Sequence, residues 1–391
     1  MSSPSELILE KERPLEPSTS STEHRLVRIL MAAGGTGGHI FPALAVADEM
    51  RRRSGTSASG AVKYETVFLG TGRGLENRVI PRAGYRLETI QAAGLKGVSG
   101  WKRVLNAARL PRSAFEAARV LYRLRPGVVV GIGGYISGPV MLEAALTGIP
   151  TLLYEPNAIP GFTNRVLAPV VRLAAAGFEQ SLAAYGSKGR LTGHPVRRKF
   201  YEVEPKAHES PYTVLVVGGS QGARALNQCL VNSLPLFRSR GGGTLRFIHQ
   251  TGEADYNAVR AAYSGQGAGS EVCAFIDNIV EAFSRADLII CRAGAATVAE
   301  LAAAGKASIL IPYPSATDQH QLHNARALER AGGARVIEQK DLQPERLVDN
   351  VMDLLGDPVK LALMEQRAKS LASPQAAARI ADLIEELCNK R

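Results

Sequence analysis

Two short apolar runs that each break into a glycine-rich turn constrain this chain more than any other feature. Val27-Arg28-Ile29-Leu30-Met31-Ala32-Ala33 leads into Gly34-Gly35-Thr36-Gly37-Gly38-His39. Thr213-Val214-Leu215-Val216-Val217 leads into Gly218-Gly219-Ser220-Gln221-Gly222-Ala223. A stretch that reads as helix follows each turn. Strand, glycine turn and helix start leave backbone N–H groups unpaired at the positive end of a helix dipole, where phosphate or another anion binds. The two copies lie 184 residues apart, which predicts two similar α/β halves facing one another.

Further apolar runs at 66–70, 86–90, 128–132, 151–154 and 173–176 follow the first turn, and runs at 245–249, 272–276, 288–291, 308–311 and 335–337 follow the second. Most lack period-two alternation. Such runs are strands buried on both faces, hence parallel sheets covered by helices. With 391 residues the chain exceeds one ordinary core. The expected fold class is α/β, with two Rossmann-like, doubly wound parallel-sheet domains facing a cleft. The expected division is a disordered tail over 1–24, a first domain over 25–195, a second over 196–373, and a C-terminal helix over 374–391 that packs back on the first domain.

Charge separates the two halves. Residues 25–200 carry 25 Lys/Arg against 9 Asp/Glu, a balance of +16, whereas residues 201–391 stand at −2 and the first 24 at −3. A basic first half points to an anionic partner such as membrane lipid, nucleic acid or a polyanionic substrate; a solvated basic face is the plainer reading. Cys229, Cys273, Cys291 and Cys388 show no C-x-x-C spacing and read as buried free thiols of a reducing compartment. No apolar run approaches the ~20 residues of a membrane span. The Ser-, Pro- and Glu-rich start lacks the basic and apolar regions of a secretory signal. Any membrane contact is therefore expected to be peripheral.

The glycine turns are neither G-x-G-x-x-G dinucleotide fingerprints nor a P-loop. A third turn, Gly131-Ile132-Gly133-Gly134-Tyr135-Ile136-Ser137-Gly138, also follows an apolar strand. His39 sits at a helix start past a strand, where the dipole favours the neutral imidazole that can take a proton from a sugar hydroxyl; bracing the turn is the alternative. Glu300 falls on the second turn of the helix predicted after Gly294, placed to accept hydrogen bonds from a ribose diol, or else solvated. The segment from Asp318 to Asn324 forms a polar cluster past another strand end. Trp101, the only tryptophan, opens a basic, partly apolar segment that suits an anionic bilayer or an ordinary amphipathic helix. No H-E-x-x-H, paired C-x-x-C or D-x-D occurs, so neither metal nor cofactor is expected.

Taken in order, the segments 34–39, 131–138, Glu155 with Asn157, 193–197, 218–223, 292–300 and 318–324 resemble the bacterial MurG-type UDP-N-acetylglucosamine:lipid I N-acetylglucosaminyltransferases, which have the GT-B fold. The resemblance runs from about Arg25 to the C-terminus. It implies that the second domain holds UDP-GlcNAc and the first holds lipid I at the cytoplasmic face of the inner membrane. GlcNAc then moves with inversion to the C4 hydroxyl of MurNAc, giving lipid II. It implies roles residue by residue. His39 is the base. Thr36, Gly37 and Gly38 border the sugar and diphosphate, while Asn157 and Arg197 contact the donor. Ser220 meets the phosphates, the Ile276 backbone meets uracil, and Ala295, Ala296 and Thr297 line that pocket. Glu300 holds the ribose and Gln321 the GlcNAc hydroxyls. Cell-wall or division proteins are candidate partners.

Two departures stand out from the family's usual pattern: Tyr154-Glu155-Pro156-Asn157 in place of His-Glu-Gln-Asn, and Gly193-His194-Pro195-Val196-Arg197 in place of Gly-Asn-Pro-Val-Arg. Another GT-B enzyme, such as a glycolipid glycosyltransferase or a UDP-sugar epimerase, is the first alternative. A nucleic-acid-binding protein is the second, and it lacks any RNP-type motif or zinc knuckle.

Overall fold

The computed structural model describes residues 25–35, 37–54, 62–72, 74–91, 110–219, 222–240, 245–264, 269–314 and 319–390. The tail over 1–24, the Trp101 segment, and Thr36, Ser220 and Asp318 lie outside them.

The first sheet is built from β1 (Arg25–Ala32), β2 (Val62–Gly70), β3 (Arg86–Thr89), β4 (Val128–Gly131), β5 (Thr151–Glu155), β6 (Leu173–Ala176) and β7 (Gly189–Leu191). Its order is β3-β2-β1-β4-β5-β6-β7, and every pairing is parallel. The second comprises β8 (Tyr212–Val217), β9 (Leu245–Gln250), β10 (Glu271–Cys273), β11 (Leu288–Cys291), β12 (Ser308–Leu310) and β13 (Ala334–Val336), in the order β10-β9-β8-β11-β12-β13, again all parallel. The central apolar runs become strands covered on both faces: Val128, Val129 and Val130 are wholly buried, as are Leu288, Ile289 and Ile290, whereas the edge strands β3 and β10 are only partly buried. The runs anticipated from the sequence correspond to twelve of the thirteen strands. The other, β7, is a three-residue edge strand with little apolar character.

Strand order reverses between β1 and β4 and between β8 and β11, the positions where doubly wound sheets bind ligands beyond their carboxyl ends. Register makes those ends flush. Ala32 pairs with Gly131, so the turn after β1 stands beside the turn after β4. Val217 pairs with Cys291, so the turn after β8 stands beside residues 292–294.

The chain crosses from the first sheet to the second through residues 192–211. Gly193 has φ +78°, and a Cβ there would stand 2.5 Å from Ser373 Oγ, so only glycine lets the two crossings touch. Near the end of the crossing, Lys206 and His208 are pinned to the second half. Asp287, wholly buried, accepts from Lys206 Nζ (2.5 Å), His208 Nδ1 (3.0 Å) and the Thr213 N–H (2.7 Å), and the other ring nitrogen of His208 meets Glu365 at 3.1 Å. Asp287 and Glu365 raise the His208 pKa to about 9 against the opposing effect of burial.

The return crossing leads to the helix Ala376–Asn389. Ile380, Ala381, Leu383, Ile384, Leu387 and Cys388 on this helix join the core under the first sheet. Arg53 ties the same helix down through Asp382, Glu385 and the Ala378 carbonyl. All four cysteines are free; three are buried and Cys273 partly so.

Candidate functional site

The carboxyl edges of the two sheets face one another across a cleft of about 2370 Å³. Of the residues singled out from the sequence, Gly37, Gly38, His39, Asn157, Arg197, Ile276, Ala295, Ala296, Thr297, Glu300 and Gln321 all line it. Thr36 and Ser220 fall outside the described residues. The binding and catalytic expectations that can be placed are thus brought into one space from segments up to 284 residues apart.

On the first-sheet side, the helix Gly37–Arg53 opens directly after the glycine turn and carries His39 in its first turn. The imidazole lies against the backbone of the adjacent turn: a Cβ at Gly133 would stand 3.2 Å from Cδ2 and Nε2 of His39, and one at Gly134 would stand 3.6 Å from Nδ1. Gly133 and Gly134 both have positive φ, so this flat bed for the ring requires glycine. Burial lowers the His39 pKa, a hydrogen bond to the Gly34 backbone opposes the shift, and the His320 charge reinforces it. The net effect favours the neutral ring, the form that accepts a proton.

The first turn is braced by a residue the sequence did not single out. Glu76, fully buried, accepts hydrogen bonds from the Gly35 N–H (3.1 Å), the Thr71 N–H (3.1 Å) and the Thr71 hydroxyl (2.7 Å). Burial pushes its pKa up, but these bonds outweigh it and hold the carboxyl below its usual range. Glu155 performs the same task at the end of β5. It accepts from the N–H groups of Asn157 and Gly161 (2.9 Å each) and from the side-chain amides of Asn164 (2.8 Å) and Asn157 (3.2 Å). This fixes Asn157 at the cleft.

The two departures from the family's usual pattern meet each other. Tyr154 Oη and His194 Nδ1 are 2.7 Å apart, and both residues are buried. Burial lowers the His194 pKa to about 3, so its ring is neutral and the pair is an uncharged hydrogen bond. It ties the end of β5 to the crossing three residues before Arg197.

On the second-sheet side, the helix Ala295–Ala304 is made almost wholly of strong helix formers and ends at Gly305 in the left-handed conformation. Its second turn carries Glu300. Burial raises the Glu300 pKa to about 7 against the pull of Arg197. The Arg197 guanidinium is 3.4 Å from Glu300 and lies 4.5 Å from the Phe41 ring and 5.0 Å from the Phe200 ring. Its buried Nε–H has no hydrogen-bond partner among the described residues, so the guanidinium keeps donor capacity. Gln321 accepts from the Tyr313 N–H at 3.0 Å. Asn324, also unassigned by the sequence reading, reaches Asn157 across the cleft at 3.5 Å. At the rim, Asp277 stands 3.5 Å from Arg82 and 3.8 Å from Arg78, whose guanidinium covers Phe275.

The rim pairs of Asp277 with Arg82 and Arg78 are long and exposed, the kind worth roughly 0–1 kcal/mol each. Among the described residues no three His, Cys, Asp or Glu side chains gather as a metal ion would require. No helix there is long and apolar enough to cross a membrane.

Comparison with known proteins agrees with this geometry. Residues 29–175 match the glycosyltransferase family 28 N-terminal domain and residues 213–385 its C-terminal domain. The chain is 44% identical over 366 residues to the UDP-N-acetylglucosamine–N-acetylmuramyl-(pentapeptide) pyrophosphoryl-undecaprenol N-acetylglucosamine transferase of Myxococcus xanthus, covering 93% of each protein. It is 42% identical to the protein of that name from Solibacter usitatus, covering 92% of this chain and 95% of the relative. Among solved structures, Acinetobacter baumannii MurG superposes with a TM-score of 0.68 at 33% identity, covering 93% of this chain and 99% of that one. A UDP-GlcNAc 2-epimerase from Neisseria meningitidis, bound to UDP-GlcNAc, superposes at 0.65 with 12% identity over 92% of this chain and all of that one, a likeness of fold alone.

Proposed function

This chain belongs to glycosyltransferase family 28, and from that premise we propose how its cleft moves N-acetylglucosamine from UDP-N-acetylglucosamine to the MurNAc of a pyrophosphoryl-undecaprenol acceptor. The observation that carries the reading is the cleft itself. A partly buried, neutral-leaning histidine on one wall faces a partly buried carboxylate–guanidinium pair on the other, and a glycine turn flanks each.

In this reading residues 196–373 hold the donor and residues 25–195 the acceptor. Glu300 accepts the two ribose hydroxyls, the Ile276 backbone meets the uracil, and Ala295, Ala296 and Thr297 wall that pocket. Gln321 and Asn157 bind the transferred sugar. Gly37 and Gly38, with Thr36, border the diphosphate from across the cleft, and Ser220 meets it on the donor side. The C4 hydroxyl of MurNAc attacks the anomeric carbon from the face opposite UDP, and its proton passes to His39. The bond from that carbon to the β-phosphate oxygen breaks with its electron pair leaving on UDP, so the configuration inverts. The departing charge is met by Arg197 and by the N–H groups at the start of the helix Arg224–Ser239. Closure of the halves keeps water from the reactive carbon.

The acceptor is lipid-linked, and the reading places the protein peripherally on the cytoplasmic face of the inner membrane. Two features support this. Residues 25–200 carry the +16 balance. Phe115, Leu142, Leu146, Phe162, Val166 and Val170 are exposed on and just beyond three neighbouring helices of the first half, and four of the six also line the cleft. An apolar surface that runs into the site, on a basic half, suits a lipid whose headgroup must enter the cleft. The reading is tested by following UDP release with and without the lipid acceptor. Release that depends on acceptor supports it. Equal release in both arms, meaning hydrolysis, contradicts it.

A further inference from the structure

Gln250 closes β9, and its register explains its reach: it pairs with Val217 at the end of β8 on one side and with Cys273 at the end of β10 on the other. It therefore stands between the phosphate-type turn after β8 and the backbone leaving β10. Its side chain bonds to both. Nε2 donates to the Gly219 carbonyl at 2.9 Å, and Oε1 accepts from the Ile276 N–H at 2.9 Å. Gln250 is 4% exposed and lines the cleft.

The Gly219 carbonyl also accepts from the Gly222 N–H at 3.0 Å, so both of its lone pairs are engaged within the protein. This matters for an anion site. A glycine at φ +93° rotates its peptide at little steric cost, and a carbonyl swung toward a diphosphate would repel it. The amide of Gln250 holds that carbonyl in place. Its other end fixes the peptide of Ile276.

We infer that Gln250 is a positioning residue that sets the Gly219 turn and the Ile276 backbone as one unit, so that nucleoside and diphosphate binding reinforce each other. The inference rests on the donor assignment above. Gln250 itself touches neither reacting atom.

The test is calorimetric binding of uridine and of UDP to the full chain and to its Q250A and Q250E variants, with thermal melting to confirm folding. Q250E has nearly the same shape, keeps an acceptor for the Ile276 N–H and loses the donor to Gly219. Q250A loses both bonds and is expected to weaken UDP binding by roughly 10–100-fold, the scale of two neutral hydrogen bonds. Q250E loses the donor to Gly219 and also brings a carboxylate near the diphosphate, so it is expected to weaken UDP binding by more than about ten-fold, while uridine binding stays within about twofold. In turnover, the donor KM rises in both variants with kcat little changed. If Q250A is poorly folded, Q250E carries the test alone. Folded variants that bind UDP like the wild type overturn the inference, as does a Q250E that loses uridine as severely as UDP. A wild-type chain that binds no UDP instead overturns the donor assignment itself.

Discussion

Replacing Glu300 by Gln probes the donor pocket with the least steric change. Its carboxyl pKa is raised to about 7 by burial, with Arg197 at 3.4 Å pulling the other way. A ribose diol donates two hydrogen bonds, and only the ionised carboxylate accepts both with full strength. Hydrogen bonds to a charged group are worth about 1.5–3 kcal/mol, so E300Q is expected to raise the Kd for UDP-GlcNAc roughly 10–150-fold. Protonation below pH 7 removes the binding form, so the wild-type Kd rises about ten-fold per unit as pH falls from about 7 toward 5.5. UDP-GlcNAc is the right probe because its phosphates do not titrate in this range. Isothermal titration at several pH values reads both effects, and E300Q is expected to lose the slope. An E300Q Kd within twofold of wild type, or a mutant that keeps the wild-type slope, would refute the argument.

His39→Gln keeps a hydrogen-bonding amide but cannot take up a proton. It is expected to lower kcat about 10²–10⁴-fold with donor KM little changed, and to abolish the acid limb of the kcat–pH profile, which lies below the ordinary histidine pKa because burial lowers that of His39; near-full activity would leave His39 as a brace only. The raised pKa of His208, about 9 against an ordinary 6.5, means that its stabilisation is complete below about pH 6.5 and lost as pH climbs through 9, a change of about 3 kcal/mol. Thermal melting should therefore show wild type losing stability over that interval and H208Q losing much less. Activity is expected to survive EDTA, and a chelation-sensitive step restored by Mg²⁺ or Mn²⁺ would contradict the assignment of leaving-group stabilisation to Arg197 and backbone N–H groups. Vesicles with anionic lipid are expected to bind the chain at low salt and release much of it near ~0.5 M, where screening shortens to roughly 4–5 Å; equal binding to neutral vesicles would remove the electrostatic part of the membrane reading.

The architecture was legible because it is written in local runs. A strand buried on both faces must be continuously apolar, and the central strands β4, β6 and β11 show it. β7 does not, since Gly189-Arg190-Leu191 lies at a sheet edge and needs no apolar partner on both sides. Cleft-lining residues carried by glycine turns, such as His39, were legible for the same reason. The braces were not. Glu76 sits among Leu75, Asn77 and Arg78 and reads as one more solvated charge; its bonds to Thr71 and to Gly35, 41 residues away, give it a role. Gln250 and Asn324 act through partners 26 to 167 residues distant, and no periodicity encodes such contacts. The pairing of Tyr154 with His194 is a similar case. Each departure was visible in the sequence, and their compensation is visible only in space.

Everything above rests on one event, the joining of a sugar from a UDP donor to a lipid-linked MurNAc in this cleft. The most direct measurement incubates the full chain with isotopically labelled UDP-GlcNAc and lipid I, extracts the lipid, and determines its mass and anomeric configuration. The expected product carries one labelled GlcNAc per acceptor, β-linked to C4 of MurNAc, with one UDP released for each. Label on diacylglycerol but not on lipid I, free or epimerised sugar in place of a lipid-linked disaccharide, or an α linkage would contradict it.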